Sequence, residues 1–479
     1  SDHGGGIKAA GALTLTNVTV QNNSIGGLGG SGGGIFATGA LKLTNVNVLT
    51  NATPTGDGGG IYANSTANLT NVNVINNTAT RASGTSAYGG GMYARAVGIR
   101  GSLFQNNRLL PIDGTNHWGG GLSVRYDTAV ITSTQFISNS ARAGGGLSIR
   151  DNGSAVITDT HFIGNWGNQD GGGIYSEAGS GTVRGANLLF ARNFSNNGAA
   201  VYYTNSSGAS TLAFMTVVSP TIGNGSAVYK GLAGSLTIQN SIVASYTVGV
   251  RRDAGTFISD YNLFYNAPTT EAIGTHSITG TNPLFLDQNA DNFRLKPGSP
   301  AIGKGTAIAG VATDLDGMPR SAPPTMGAYE GFYASPDLSR LVLSMGTLTP
   351  AFAPVTTSYT ATVGYTTTRL NVTAATVDAS ATITINSARA ISGTAFGPLW
   401  LEVGPNPITI TVRATNGVTK TYGVVVTRAS DGALLDLAID PGTLTPAFDP
   451  ERSDYTATVG YVAANLIVTA TASAGDLSS

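Results

Sequence analysis

Three arginines share one place in a recurring pattern: Arg95, Arg125 and Arg150 each stand six residues after the first glycine of a glycine triplet. Glu177 takes that place in the next copy, and Asp127 and Asp151 follow close behind two of the arginines. Four residues after the same glycine stand Tyr62, Tyr93 and Tyr175, interrupted by Ser123 and Ser148. A guanidinium grips carboxylate or sulfate through two parallel hydrogen bonds, and aromatic side chains beside it suit sugar rings. Tyr62, Tyr93, Arg95, Arg125, Arg150 and Tyr175 are therefore the candidate ligand-binding residues, with an acidic or neutral polysaccharide as the candidate ligand. Like charges stacked about 4.8 Å apart repel by about 1 kcal/mol in water. An anionic ligand would relieve that repulsion, and so would ion pairing with Asp127, Asp151 and Glu177.

The same face holds the residue types of polysaccharide chemistry. A glycosidase places two carboxylates about 5 to 9.5 Å apart, one protonated and one ionised. Asp151 and Glu177, on adjacent copies, meet that spacing. A lyase would take Arg125 or Arg150 as base, with Asp127 and Asp151 as the carboxylates beside the uronate. Arg125, Arg150, Asp151 and Glu177 are thus the only candidates for catalysis. A simpler reading makes Arg150 and Glu177 a surface ion pair. His3 and His276 have no partners by spacing, His161 should point outward away from the arginine face and His117 sits in a variable stretch beside Trp118, so no metal site is expected, and nothing in the chain calls for a cofactor.

The elements that would position this face are written in the repeat. The triplet followed by an aliphatic residue recurs from Gly4, Gly32, Gly58, Gly89, Gly119, Gly144 and Gly171, with weaker copies from Gly198 and Gly225. The spacings run from 25 to 31 residues, shorter than a propeller blade of about 40. Each copy holds three short alternating apolar runs, such as Ile7 to Ala9, Leu13 to Leu15 and Val18 to Val20. Period-two alternation buries one face of each run. Strands this short are satisfied by stacking copy on copy, which is a solenoid.

Two columns should face inward: Leu15, Leu43, Leu69, Ile99, Ile131 and Ile157, and then Val20, Val48, Val74, Phe104, Phe136, Phe162, Phe190, Val218, Val243 and Leu263. The corner between them carries Asn17, Asn45, Asn71, Gly101, Ser133, Asp159 and Asn187, types that tolerate left-handed backbone. Six residues further on stand Asn23, Asn51, Asn77, Asn107, Asn139, Asn165, Asn193 and Asn266, which can exchange amide hydrogen bonds between copies.

Composition agrees with this reading. Among 479 residues, charged types make up 11%, apolar types 41%, and glycine numbers 66. The net charge of -1 removes the basic footprint of a nucleic-acid binder. Cysteine is absent, which excludes disulfides, thiolate metal sites and a cysteine nucleophile. No apolar run reaches the length of about 18 residues that spans a membrane as a helix.

On these residues the first 333 positions resemble the right-handed parallel β-helix proteins of the pectate-lyase-like superfamily. The segments Asn282 to Asp287, Phe293 to Ile302, Thr313 to Arg320 and Met326 to Glu330 resemble the end of bacterial secreted proteins of the choice-of-anchor Q type. Asp314 and Asp316 resemble part of a calcium loop whose later ligands are missing, so a turn is expected there. The paired-aspartate and His-Gly motifs of polygalacturonases are not found, nor are the clustered acidic ligands of pectate lyases.

After Pro336 the pattern changes. Gly346 to Phe352 recurs as Gly442 to Phe448, and Tyr359 to Tyr365 as Tyr455 to Tyr461, both at an offset of 96 residues. Short strands with Pro and Gly turns point to a β-sandwich, and the motif resembles the bacterial cadherin-like β-sandwich domain. The expected fold is all-β: a right-handed parallel β-helix at 1–333, a complete sandwich module at 337–430, and a truncated second copy at 434–479 from a longer parent chain. The expected function is a secreted or cell-surface bacterial adhesin or stalk binding glycans along its first-strand face, with cell-surface or matrix components as partners. The rival expectation is a polysaccharide-active lyase or glycoside hydrolase using that face.

Overall fold

The computed structural model describes residues 3–472 except 27–28, 82–84, 112–115, 178, 270, 332–334, 379–380, 415–417, 431–433, 451 and 462–464, and it describes the backbone alone at 220–224 and 472. Among these residues every regular element is a strand. The chain divides into two compact units, Ser1–Phe332 and Tyr333–Ser479. The expected boundary at 333 and the last seven residues, 473–479, fall outside the described residues.

The first unit is a parallel β-solenoid. Ile7–Ala9 pairs in register with Ile35–Ala37, which pairs with the start of Ile61–Thr70, and so on through Leu122–Arg125, Leu147–Arg150, Ile174–Glu177 and Val201–Tyr203. The second-strand column pairs as expected, Leu15 with Leu43, Leu43 with Leu69, and onward to Ile157. In the third column Phe104, Phe136, Phe162 and Phe190 are fully buried. Their rings stack at 5.1, 4.9 and 4.9 Å.

Each corner residue from Asn17 to Asn187 has a positive φ, between 50° and 60°. The first glycine of each triplet also lies in the left-handed region, Gly32 at 72° for example. The second is held by crowding, because a Cβ on Gly33 would meet the Gly59 carbonyl oxygen at 2.2 Å. A side chain at either place would collide with backbone in these coils, as a Cβ on Gly32 would meet the Ile35 carbonyl oxygen at 2.3 Å, whereas the later copies carry Ala199 and Ser226 at the second place.

The register departs from expectation in the later coils. Phe190 pairs with Val217 rather than Val218, and Val243 pairs with Phe264 rather than Leu263. The corners there are Phe214 at φ 52° and Tyr261 at φ 55°, bulky types that rarely accept left-handed backbone. Asn266 consequently sits one place off the ladder, exposed and itself at positive φ. The displaced Val218 and Leu263 face outward with Leu189, Ile242 and Ala244. They are covered by Phe285, Phe293, Leu295, Met326 and Tyr329 of the following segment. Arg320 of that segment lies 3.6 Å from the Phe214 ring centroid, pairs with Glu330 at 3.2 Å and donates to Asn187 Oδ1 at 2.7 Å. The Asp314 side chain accepts the N–H groups of Asp316 and Met318, which is the expected turn.

A fourth strand per coil was not expected. Ala52–Thr53, Thr78–Thr80, Arg108–Leu110, Ser140–Ala143 and Trp166–Asp170 pair in parallel as a separate sheet. These runs are short and bury small residues such as Ala79 and Ala141, so their alternation is faint in the sequence.

The second unit contains a sandwich module. Leu338–Leu343, Arg369–Thr376 and Ala395–Trp400 form one sheet. Ser358–Val363, Thr419–Arg428, Gly404–Arg413, Thr382–Ile385 and Ala388–Ala390 form the other. Leu341, Val372, Ile383, Ile410, Tyr422 and Val424 fill its core. The repeated Tyr-Thr-Ala-Thr motif has a structural reason: the Tyr359 hydroxyl donates to the Ala353 carbonyl at 2.8 Å, and Tyr455 donates likewise to Asp449. Downstream, Leu434–Asp440 pairs with Ile467–Ala472, and Thr443–Thr445 with Thr456–Thr458. No described residue from 434 to 471 is buried.

Replacing Phe136 by Ala should cost about 3 to 5 kcal/mol, read from chemical denaturation of the solenoid; a cost below 1 kcal/mol would contradict the stacked core. Backbone amides from 434 to 472 should exchange with solvent much faster than those of 338 to 429, because strands without buried apolar contacts open readily. Equal protection by hydrogen-exchange mass spectrometry would contradict this.

Candidate functional site

The first-strand face is built by two columns that meet on the outside of the solenoid. One is the position four residues after the triplet glycine. The other is the residue just before that glycine, in the same sheet as the fourth strands: Tyr88 of Ala87–Tyr88 pairs with Trp118 of His117–Trp118, Trp118 with Ala143, and Ala143 with Asp170. Where the first column is aromatic, its rings stack. Phe36, Tyr62 and Tyr93 lie at 5.1 and 4.8 Å, and Tyr175, Tyr202 and Tyr229 at 5.1 and 4.7 Å. Where it narrows to Ser123 and Ser148, Tyr88 and Trp118 take up the space and stack at 5.4 Å. Tyr93, Tyr175 and Trp118 are buried, and Tyr62 is partly so. Their ring faces are therefore spent on one another, and only edges and hydroxyls reach solvent.

Each arginine is held between a ring and a carboxylate. The Arg125 guanidinium lies 4.1 Å from the Tyr88 centroid, and its Nε donates to Asp151 Oδ2 at 2.5 Å. Arg150 lies 3.6 Å from the Trp118 centroid and pairs with Glu177 at 3.2 Å. Arg95 pairs more loosely with Asp127 at 3.8 Å and lies over Tyr126 at 5.4 Å. In all three pairs the carboxylate belongs to the following coil, and for Arg125 and Arg150 the buried ring belongs to the preceding one. Such contacts between desolvated cation and ring are among the stronger exposed-surface interactions.

The structure brings Arg150, Asp151 and Glu177 together in one groove of about 380 Å³, lined also by Asn152, Gly179, Thr204, Ser206 and Leu232. Arg125 reaches its edge through Asp151. Tyr62, Tyr93 and Arg95 lie outside this groove, and Tyr175 meets it only through its hydroxyl, which donates to Glu177 Oε2 at 2.6 Å.

Sequence reasoning missed Tyr88, Tyr126 and Asp170. The column before the triplet, Asp57, Tyr88, Trp118, Ala143 and Asp170, held the signal for two of them. Tyr126 lacks one: it sits at φ 80° beside Arg125, partly exposed. Burial raises the Asp170 carboxyl against the opposing hydrogen bond from Asn197. Burial also raises the phenols of Tyr93, Tyr175 and Tyr202 well above their ordinary range. Tyr229 is pushed up to about 12, by burial and by its hydrogen bond to Asp253.

Comparison with known proteins bears on the downstream unit. Residues 338–429 match the Cadherin-like beta sandwich domain. A protein of Evansella cellulosilytica named "Putative membrane protein" is 38% identical over 91 residues, which make up 19% of this chain and 14% of that protein. The chain thus aligns with about one seventh of that relative's length. Among the described residues no helix is long and apolar enough to cross a membrane.

The tyrosine ladder should resist ionisation in alkali. A phenol whose folded value lies above the unfolded value of about 10 contributes stability that is present below pH 10 and lost as pH rises through the folded value. Ultraviolet absorbance should show Tyr229 ionising near pH 12, and unfolding stability should fall between about pH 10 and 12. A single phenolate transition near pH 10 in the folded protein would contradict the buried ladder.

Proposed function

We propose that this chain belongs to an extracellular, cell-surface protein of the stalk or adhesin kind, which binds glycans along the first-strand face of its solenoid. One observation carries the reading: the polar groove of Arg150, Asp151, Glu177, Thr204 and Ser206 lies on the strand face of a coil-by-coil rod, where an extended chain can lie across several coils. The cadherin-like module downstream, a domain type typically found outside cells, supports an extracellular setting. So does the resemblance of residues 282–330 to secreted proteins of the choice-of-anchor Q type, within a pectate-lyase-like solenoid. The partners would be polysaccharide and other components of a cell surface or matrix.

The groove also favours a second reading, a lyase or glycoside hydrolase, because it gathers Arg150, Asp151 and Glu177. Binding fits the contacts better. Hydrolysis asks for one carboxyl kept protonated, whereas both carboxylates here face arginines.

Neutral, acidic and aminated oligosaccharides would be titrated calorimetrically against the whole chain and against Arg150→Ala. Binding by at least one class, weakened about tenfold or more by the substitution, which corresponds to about 1.4 kcal/mol, is the expected result. Equal binding by both proteins would remove the groove as the site. Release of unsaturated or reducing sugar products in the same mixtures would establish the enzyme reading instead.

A further inference from the structure

The arginine spacing leads one to expect an anionic ligand, yet the contacts invert the sign that a ligand would meet. The Arg125 side chain is 20% exposed against 31% for its partner Asp151, and Arg150 is 16% exposed against 43% for Glu177. Both guanidinium groups are pressed onto aromatic rings, at 4.1 Å for Tyr88 and 3.6 Å for Trp118. Their charge is therefore turned inward and paired with a carboxylate, although Arg150 Nε is buried without a hydrogen-bond partner among the described residues. The carboxylates keep unused capacity. Asp151 takes Arg125 on Oδ2, and Glu177 takes both Arg150 and the Tyr175 hydroxyl on Oε2. Among the described residues Asp151 Oδ1 and Glu177 Oε1 have no partner, and both residues line the groove. Nearby hydroxyls are already donating, Thr204 to the Ser176 carbonyl and Ser206 to the Gly179 carbonyl, so the exposed Ser206 hydroxyl is left with lone pairs to offer.

A groove lined this way offers acceptors and negative charge and asks for donors and positive charge. An anionic sugar entering it would meet the more exposed carboxylates first and would have to displace Glu177 from Arg150 to reach the guanidinium. An ammonium group would instead add a charge-assisted hydrogen bond to an oxygen that is already oriented. Resting on the glycan-binding reading above, we propose that the ligand is an aminated polysaccharide, a polymer of sugars bearing free primary amines, held through Asp151 and Glu177. Arg125 and Arg150 act as positioning residues that fix the two carboxylates.

The test compares three oligosaccharides of equal length at a pH where sugar amines are charged: glucosamine hexamer, its fully N-acetylated counterpart, and oligogalacturonate. Each is titrated against the whole chain, Glu177→Gln and Asp151→Asn, with a lysine hexamer as a cationic control without sugar. The glucosamine hexamer should bind at least tenfold more tightly than the other three. It should weaken tenfold or more in each variant, and it should weaken with added salt because exposed charges are screened. Circular dichroism of the variants checks that the solenoid is intact. Preferred binding of the acetylated or acidic hexamer would overturn this proposal while leaving the glycan-binding reading standing. Equal binding of the lysine hexamer would overturn the sugar part of it. If no hexamer of any charge binds the wild-type chain, the glycan-binding reading itself fails.

Discussion

At the bend after the third strand, seven asparagines from Asn23 to Asn193 tie each coil to the next. Each of the first six donates twice to the same acceptor: the Asn107 backbone N–H and its Nδ2 both reach Asn139 Oδ1, at 3.0 and 2.9 Å. The same arrangement holds from Asn23 to Asn51, from Asn51 to Asn77, and on to Asn165 and Asn193. The inner members are fully buried, so an unmet amide there would cost the desolvation of a polar group, about 1 to 3 kcal/mol. This requirement holds the coils at hydrogen-bonding distance and in register. The phenylalanine stack inside the rod and the tyrosine stack outside it both repeat at 4.7 to 5.1 Å, because both inherit the spacing of the backbone ladder.

That spacing also decides what the first-strand face can be. A carboxylate one coil ahead comes within reach of an arginine, and a ring one coil behind lies beneath it. Arg125 and Arg150 have both. A ladder position that reads as a row of repelling cations is therefore a row of offset ion pairs, with the cation inside and the anion outside. The serines at 123 and 148 have a place in this arrangement. They free the volume into which Tyr88 and Trp118 settle, and those rings in turn seat the guanidinium groups.

Much of this was legible because each place in the repeat makes one demand and makes it many times. A left-handed corner asks for Asn, Gly, Ser or Asp, a buried bend asks for an amide, and an inward column asks for an aliphatic or aromatic side chain. Legibility ended where a distant part of the chain met the demand instead. Phe214 holds a left-handed corner beneath Arg320, more than a hundred residues downstream, and no local pattern announces it. The register of Val218, Leu263 and Asn266 was lost with that corner and the one at Tyr261. The candidate site was legible in its residue types but not in its polarity. Spacing places Arg150 and Glu177 on neighbouring rungs, whereas which of them faces solvent depends on Trp118, in the two-residue strand His117–Trp118, too short to show an alternation.

The asparagine ladder has an arrow. From Asn23 to Asn165, every side-chain amide donates to the asparagine of the coil made later in synthesis; from Asn51 onward its Oδ1 accepts from the asparagine made earlier, and its Nδ2 also donates back to a backbone carbonyl of that earlier coil. A nascent chain emerging from the ribosome would thus always carry, at its growing front, one pair of donors whose acceptor has not yet been translated. Each new asparagine meets the previous coil's donors and opens the same need one step further on, as far as Asn193.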